Sequence, residues 1–495
     1  MSSQSEKVII IGSGYGGLAL GALLAHHDYQ VTIYEAHTYL GGCASFFKRH
    51  KFKFDAGATT LSGLGAGRPL HALCQLLEIE IPTLHLDHPM RIHLSDNSII
   101  ERVSNLEEFI TTLDIEFPEV DNRKFWYDLK DREEKLWSVL GAGQHFPPKG
   151  IKDLVKLLRP KVLAKAPLAL WAFTPFIKTL PKEIRSNTRY MDFINEQLII
   201  STQSHANEVP ALLAAMGLIY PDDMYYPFGG ISTLADKLAE YITKRGGEVH
   251  KRHRVTDVSK NKDVFEVTGV GPLKKPFNKE AALVVSNLTI WDTPKLFNNE
   301  LKSLFPIPQE RGAWSAITAY FTIKSTQPIT PLYHQVHIDN ELLGKGSLFF
   351  SFSHPDDRER APELWQTVTV STHTRSEQWI SAFESGNYDQ QVQEVKELIR
   401  KTFNERFPDK NIEEMGNIEI GTPHTIQRFT NRHKGLVGGL PHNLKNNILT
   451  FPAQETALSG FYQIGDTTFP GQGIVGVTTG AFLLAGKLLG KNFLE

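Results

Sequence analysis

The chain has 495 residues, a formal charge of −2 and only two cysteines, Cys43 and Cys74. That length exceeds one ordinary core and predicts two or three domains, while the balanced charge argues against a nucleic-acid partner. Two cysteines are too few for a disulfide framework and fit a reducing compartment.

The first strand is predicted at once, with no basic and apolar leader before it, so no secretory signal is expected. No window holds about eighteen uninterrupted apolar residues. The expectation is a protein that is soluble or lies on the cytoplasmic side of a membrane. Val8 to Ile11 form an apolar run, as in a strand buried on both faces. It breaks at Gly12-Ser13-Gly14-Tyr15-Gly16-Gly17, and Leu18, Leu20, Leu23 and Leu24 then recur at helical spacing. Val31, Ile33 and Tyr34 read as a second strand ending in Glu35. Gly12 permits the turn, Gly14 lets a pyrophosphate approach the backbone, and Gly17 lets helix and strand pack closely. The helix start offers free N–H groups and a partial positive charge to the phosphates. Glu35 sits where a carboxylate accepts hydrogen bonds from ribose hydroxyls.

After Glu35, the Gly41-Gly42 pair again brings backbone close to a neighbour, and Cys43 reads as a small residue beside a cofactor. Residues from Met90 to Glu101 predict a hairpin around Asp96-Asn97, and residues 104–145 predict polar helix. Residues 149–185 interleave lysines and arginines with large apolar side chains including Trp171, the pattern of an interfacial segment. Pro160, Pro167 and Pro175 divide it into short helices. The competing expectation is a helical hairpin that buries its apolar face internally. An amphipathic helix is predicted from Ile231 to Arg245, followed by one strand through Val249, Val255 and Val258. Residues 282–287 (ALVVSN) predict re-entry into the nucleotide-binding domain. Strands are predicted at 311–324, 347–353 and 365–372, and one or two helices over 376–407.

The closing segment predicts a strand to Ile464, a turn at Gly465-Asp466 and a small-residue helix from Ile474. Gly471, Gly473 and Gly476 repeat the spacing of the first glycine motif, but no second strand or ribose acid follows. The reading is a second helix start aimed at one long cofactor held by both ends of the chain. That favours FAD over NAD.

These stretches resemble the FAD-dependent carotenoid desaturase and isomerase family (phytoene-desaturase-like), in the branch holding carotenoid isomerase, the cyanobacterial-type carotenoid 3′,4′-desaturase and retinol saturase. The resemblance rests on IIIGSGYGGL, GGCASFFKRHKFKFDAGAT, the YPFGG helix start, VVSNLTIWDT, TPHTIQRFTNRHKGLVGG and IGDTTFPGQGIVGV. It implies an α/β fold: a Rossmann-like FAD domain of the glutathione-reductase-like superfamily with a mixed α+β substrate domain inserted. The expected FAD domain comprises 1–85, 221–290 and 455–495, and the substrate domain 86–220 and 291–454. It implies a tunnel opening at a membrane. Gly12, Gly14 and Gly17 would hold the pyrophosphate and Glu35 the ribose, with Gly16 and Ala36 beside them. Gly41, Gly42 and Ser45 would line the cofactor, and Val255 would meet the adenine through its backbone. Gly465 and Asp466 would meet the ribityl–pyrophosphate part, with Gly473 and Ile474 near the flavin ring. Asp28 departs from the family, which usually has glycine there.

The expected activity is oxidation of a carotenoid or related polyene, by hydride transfer to flavin N5. A redox-neutral cis–trans isomerase using reduced FAD, a polyene saturase and an amine-oxidase-like enzyme are the alternatives. The electron acceptor is left open between quinone and oxygen. His205, His334, His337, His354 and His424 are the candidate proton acceptors, and the sequence pairs none of them with a carboxylate. Arg428, Arg432 and His424 read as a polar cluster that either contacts a hydroxylated or glycosylated substrate end or, as expected, braces an interdomain joint. No metal spacing or serine-hydrolase elbow occurs.

Overall fold

The computed structural model describes residues 6–141, 166–305, 309–310, 312–338, 340, 343, 346–408 and 411–493. The buried runs of the nucleotide-binding half assemble into a five-stranded parallel sheet. In space its strands run Glu248–Lys251, Gln30–Glu35, Lys7–Ile11, Leu283–Ser286 and Phe461–Gln463. Three widely separated parts of the chain therefore meet in one sheet. The apolar run Val8–Ile11 is buried because it sits at the centre of that sheet. Helices Tyr15–His26, Ser232–Lys244 and Gly473–Leu489 pack together on the sheet through Leu20, Leu24, Leu238, Ile242 and Leu484. Asp28, at the turn after the first helix, has φ +64°, which explains why glycine suits the position.

The expected single strand through Val249, Val255 and Val258 is two strands in two sheets. Arg252 adopts φ +59° and breaks the run. Its N–H donates to His37 O and that of His253 to Glu35 O. Arg254–Asn261 then starts an antiparallel three-stranded sheet with Val264–Val270 and Pro276–Ala281.

The other half is built on a large mixed sheet containing Ser315–Ser325, Trp365–Thr374, Ser347–Phe352, Tyr333–His337, Met90–His93 and Ile99–Arg102. The last two form the expected hairpin. Tyr333–His337 was not foreseen, although it pairs on both sides. Helices Leu106–Glu116, Asn122–Gly141, Thr188–Thr202 and Ala211–Ile219 bury Phe109, Trp126, Phe193 and Leu218 in this half's core. Residues 376–407 form two helices, Ser376–Glu384 and Tyr388–Arg406.

Much of the basic, apolar stretch 149–185 lies outside the described residues. Its described part forms three short helical segments, Ala166–Ala172, Phe176–Thr179 and Lys182–Ser186. Phe176, Leu180 and Ile184 are buried in the core, whereas Leu170 and Phe173 are 70% and 43% exposed. Among the described residues, no helix is long and apolar enough to cross a membrane.

Candidate active site

The glycine turns make a cradle from backbone alone. Gly41 N–H donates to Ser13 O, and a Cβ on Gly42 would stand 3.2 Å from Gly14 Cα. The first helix starts at Gly14 without a side-chain cap, and the last helix starts at Gln472 likewise. Helix starts leave backbone N–H groups in need of acceptors. Gly17 is different: its missing Cβ would lie 2.5 Å from Gly12 O, so it seats the helix on the strand rather than facing the cavity.

Asn287, just past the Leu283–Ser286 strand that flanks the central one, joins the two ends of the chain. Its Nδ2 donates to Gly12 O at 3.2 Å, and its side chain fills the space beside Gly14, Gly16 and Gly465. A Cβ on Gly16 would be 3.4 Å from Gly465 Cα. The glycine motif and the Gly465-Asp466 turn are thus neighbours, as one shared cofactor requires.

One cavity of about 1850 Å³ runs past both helix starts and on into the large sheet. Gly12, Gly14, Gly16, Glu35, Ala36, Gly41, Gly42, Ser45, Val255, Gly465, Asp466, Gly473 and Ile474 all line it. At one end, Glu35 is held by Ser13 N–H (2.8 Å), Ser13 Oγ (2.6 Å) and His37 N–H (2.7 Å). Farther in, Ser45 Oγ is buried without a protein partner. Asp466 pairs with Arg432 at 2.7 Å, and Arg432 also donates to Leu436 O. Arg432 therefore links the Asp466 turn to the segment around Leu436, without the other two members of its expected cluster. His424 stacks on Phe383, and Arg428 lies against Phe429, which lines the cavity although His424 and Arg428 do not. Burial pushes the Cys43 thiol up, so it is no reactive thiolate.

Two motif blocks meet at a buried carboxylate. Asp55 pairs with Arg360 at 3.0 Å and accepts from Ile231 N–H at the start of the Ser232–Lys244 helix. The segment after Asp55 is carried by one cross-strand row of the large sheet, Tyr333–Ser351–Thr369–Tyr320. Tyr320 OH donates to Ala56 O, Tyr333 OH to Thr59 O, and Ser351 Oγ meets Thr59 Oγ1 at 2.7 Å. The next row, Gln335–Phe349–Ser371–Thr318, lines the cavity.

Among the described residues, the histidines on the cavity wall are His37, His253, His373 and His442. None of the five weighed from sequence is there. His337 does pair with a carboxylate, Glu196, at 2.8 Å. His334 meets His93 at 3.0 Å. His442 stacks on Phe451, and burial lowers its pKa to about 4, leaving a neutral imidazole on the wall. It lies against Gly471, where a Cβ would be 2.8 Å from its Cε1.

The residues fit a long anionic dinucleotide. Two uncapped helix starts, a glycine cradle without side chains, a poised carboxylate and the unpartnered Ser45 hydroxyl share one cavity. The description "NAD(P)-binding Rossmann-like domain" matches residues 10–77, and "flavin containing amine oxidoreductase" matches residues 189–482. The chain belongs to the flavin-containing amine oxidoreductase family. FAD is its cofactor. Prolycopene isomerase 1 of an Oncidium hybrid cultivar is 26% identical, over 100% of this chain and 85% of that one. The 1-hydroxycarotenoid 3,4-desaturase of Flavobacterium sp. is 23% identical, over 95% and 96%. Over most of its length the flavoprotein is thus similar to carotenoid isomerases and desaturases. In fold it is similar to an oxidoreductase from Methanosarcina mazei, with TM-score 0.62 and 16% identity over 98% of this chain and 100% of that one. A putrescine oxidase gives TM-score 0.61 and 14% identity over 98% and 99%.

Proposed function

We propose that this flavoprotein introduces a double bond into a carotenoid or related polyene. The observation that carries the reading is the cavity itself. Its volume exceeds the roughly 300–1,000 Å³ of a pocket for one small ligand, leaving room for a second long molecule beside FAD. In this reading Gly12, Gly14, Gly16 and Glu35 hold the adenosine and pyrophosphate, with Val255 at the adenine. Ser45, Asp466, Gly473 and Ile474 hold the ribityl and ring portions. The FAD domain comprises 1–85, 221–290 and 455–495, and the substrate domain the remainder.

Bound FAD supplies the two-electron acceptor that loss of a hydride from an allylic C–H requires. The chain does the rest. The apolar wall excludes water, and the sheet face positions the polyene. His442 takes the departing proton on its neutral imidazole. A weak base suffices, because a carbon next to a hydride-depleted centre is strongly acidic. Leu170 and Phe173 rest on a membrane surface beside the cavity, which Phe173 lines. A second reading, redox-neutral cis–trans isomerisation with reduced FAD, is favoured by the similarity to prolycopene isomerases.

The test is incubation of the purified protein and liposomes with acyclic and monocyclic carotenoids, in air and under anaerobic reduction. A product lighter by two hydrogens supports desaturation. Unchanged mass supports isomerisation, and a gain of two hydrogens supports saturation. Replacing Leu170 and Phe173 by serine should weaken co-sedimentation with liposomes, and unchanged sedimentation refutes the surface contact.

A further inference from the structure

One large apolar side chain interrupts a polar row on the large sheet. Along Gln335–Phe349–Ser371–Thr318, which lines the cavity, only Phe349 is of that kind. Side chains alternate between the two faces of a strand. Leu348 and Phe350 are fully buried in the core, so the half-buried Phe349 shows its free surface to the cavity it lines. Its ring is held in place. It stacks on Tyr333 with centroids 5.8 Å apart and planes within 5°, and Tyr333 OH donates to Thr59 O at 2.9 Å.

The cavity closes just past this ring. Gln335 and Ser347 line it, whereas Glu196 behind them is 5% exposed and does not. Glu196 accepts from Gln335 Nε2 at 2.9 Å and Ser347 Oγ at 2.6 Å, and meets His337 Nδ1 at 2.8 Å. The next strand, Met90–His93, pairs with Tyr333–His337, yet none of its residues lines the cavity. In the other direction Phe349 stands two residues, about 7 Å, from Ser351, which meets Thr59. The segment Ala56–Thr59 belongs to the cofactor side, since Ala56 N–H donates to Ser45 O. Phe349 therefore lies between a hydrogen-bonded end wall and the cofactor cradle.

We propose that Phe349 is the depth stop of the polyene site: the chain end rests against its ring, and the depth of entry decides which bond lies at the flavin. The proposal rests on the polyene reading above and adds what selects the bond. A polyene repeats the same unit along its length, so local chemistry cannot tell one position from the next. A fixed stop can. A ring locked by Tyr333 against a floor of hydrogen bonds keeps its place, as close-packed interiors do.

The experiment uses the holoenzyme in liposomes and two probes, phytoene and prolycopene, in each of which the same unit recurs along the chain. The position of the altered bond is read from the product by NMR. The wild type should alter one position. Phe349→Ala admits the chain more deeply and should move the altered bond one isoprene unit away from the buried end. The ratio of displaced to wild-type product should rise by about ten-fold or more, the worth of a methylene in an apolar pocket. Phe349→Leu should shift it less, and Phe349→Trp should move the bond the opposite way. Flavin content and melting temperature show which variants are folded, and Phe349→Leu carries the test if Phe349→Ala does not hold flavin. A bond that stays put in every folded variant, whatever the rate, overturns the depth stop and leaves the polyene reading intact. A wild type that neither binds nor converts either probe overturns both.

Discussion

Gly17→Ala tests whether the glycine motif works through contact geometry, and Gly21→Ala, one turn later in the same helix, is its control. Both substitutions gain up to about 1 kcal/mol of helix propensity. At Gly21 the nearest atoms to the new methyl are the Cδ1 tips of Ile33, Ile242 and Ile10, at 3.0, 3.1 and 3.3 Å. Those tips rotate away, so stability should stay within about 1 kcal/mol of the wild type. At Gly17 the methyl would stand 2.5 Å from Gly12 O and 3.0 Å from Asn287 Nδ2. A backbone carbonyl fixed in the turn cannot swing aside as a side-chain tip can, so the helix must lift from the sheet. Overpacking of this kind costs about 1–3 kcal/mol. The lift also pulls the helix start away from the pyrophosphate. The assay is urea unfolding together with the flavin-to-protein absorbance ratio after gel filtration. Gly17→Ala should be destabilised and lose flavin, and Gly21→Ala should do neither. A Gly17→Ala protein with full flavin and unchanged stability would refute the geometric argument.

Glu35→Ala should weaken FAD retention by roughly ten- to a hundred-fold, the worth of hydrogen bonds to a charged group. Unchanged occupancy in dialysis would remove Glu35 from the ribose role. Arg360→Met leaves Asp55 as an uncompensated buried charge and should cost about 3–5 kcal/mol in chemical denaturation, and a loss under 1 kcal/mol would contradict that pairing. His442→Phe should retain flavin but lower kcat by about 10²-fold or more, the usual worth of a positioned proton acceptor. Undiminished turnover would take the proton elsewhere. His93 is buried, and burial lowers its pKa from 6.5 to about 4. The unfolded chain therefore binds this proton first, so stability is full above pH 6.5 and falls towards pH 4. His93→Gln should recover part of that acid loss, up to about 3 kcal/mol, in melts across this range. An identical acid slope would refute the assignment.

The elements that could be read directly were those whose reasons are local. The strand–turn–helix around Gly12 to Gly17 carries its own periodicity, and Glu35 ends the strand that follows. The repeat at Gly471 to Gly476 was legible as a second helix start because an apolar strand and a turn lead into it and small residues follow at helical spacing. Asn287 stood in plain view within VVSN, but its work lies across 275 residues, on Gly12 O. His442 and Gln335 were equally invisible: one depends on the fold of the loop before Phe451, the other on sheet register. A shift of one residue along Tyr333–His337 would turn Gln335 away from the cavity. The strand break at Arg252 was missed because a left-handed arginine leaves no mark in the alternation of valines. Residues 166–185 show why composition alone misleads, since Phe176 and Ile184 are internal while Leu170 is not.

The central claim is that one FAD, held between the Gly12 turn and the Asp466 turn, oxidises a polyene lying along the large sheet. Its most direct test is anaerobic mixing of the oxidised holoenzyme with a carotenoid in liposomes, following the flavin spectrum and the product mass together. The account predicts bleaching of the oxidised flavin bands and, for each flavin bleached, one product molecule lighter by two hydrogens. A flavin that stays oxidised while the carotenoid binds, or a product of unchanged mass, would contradict it.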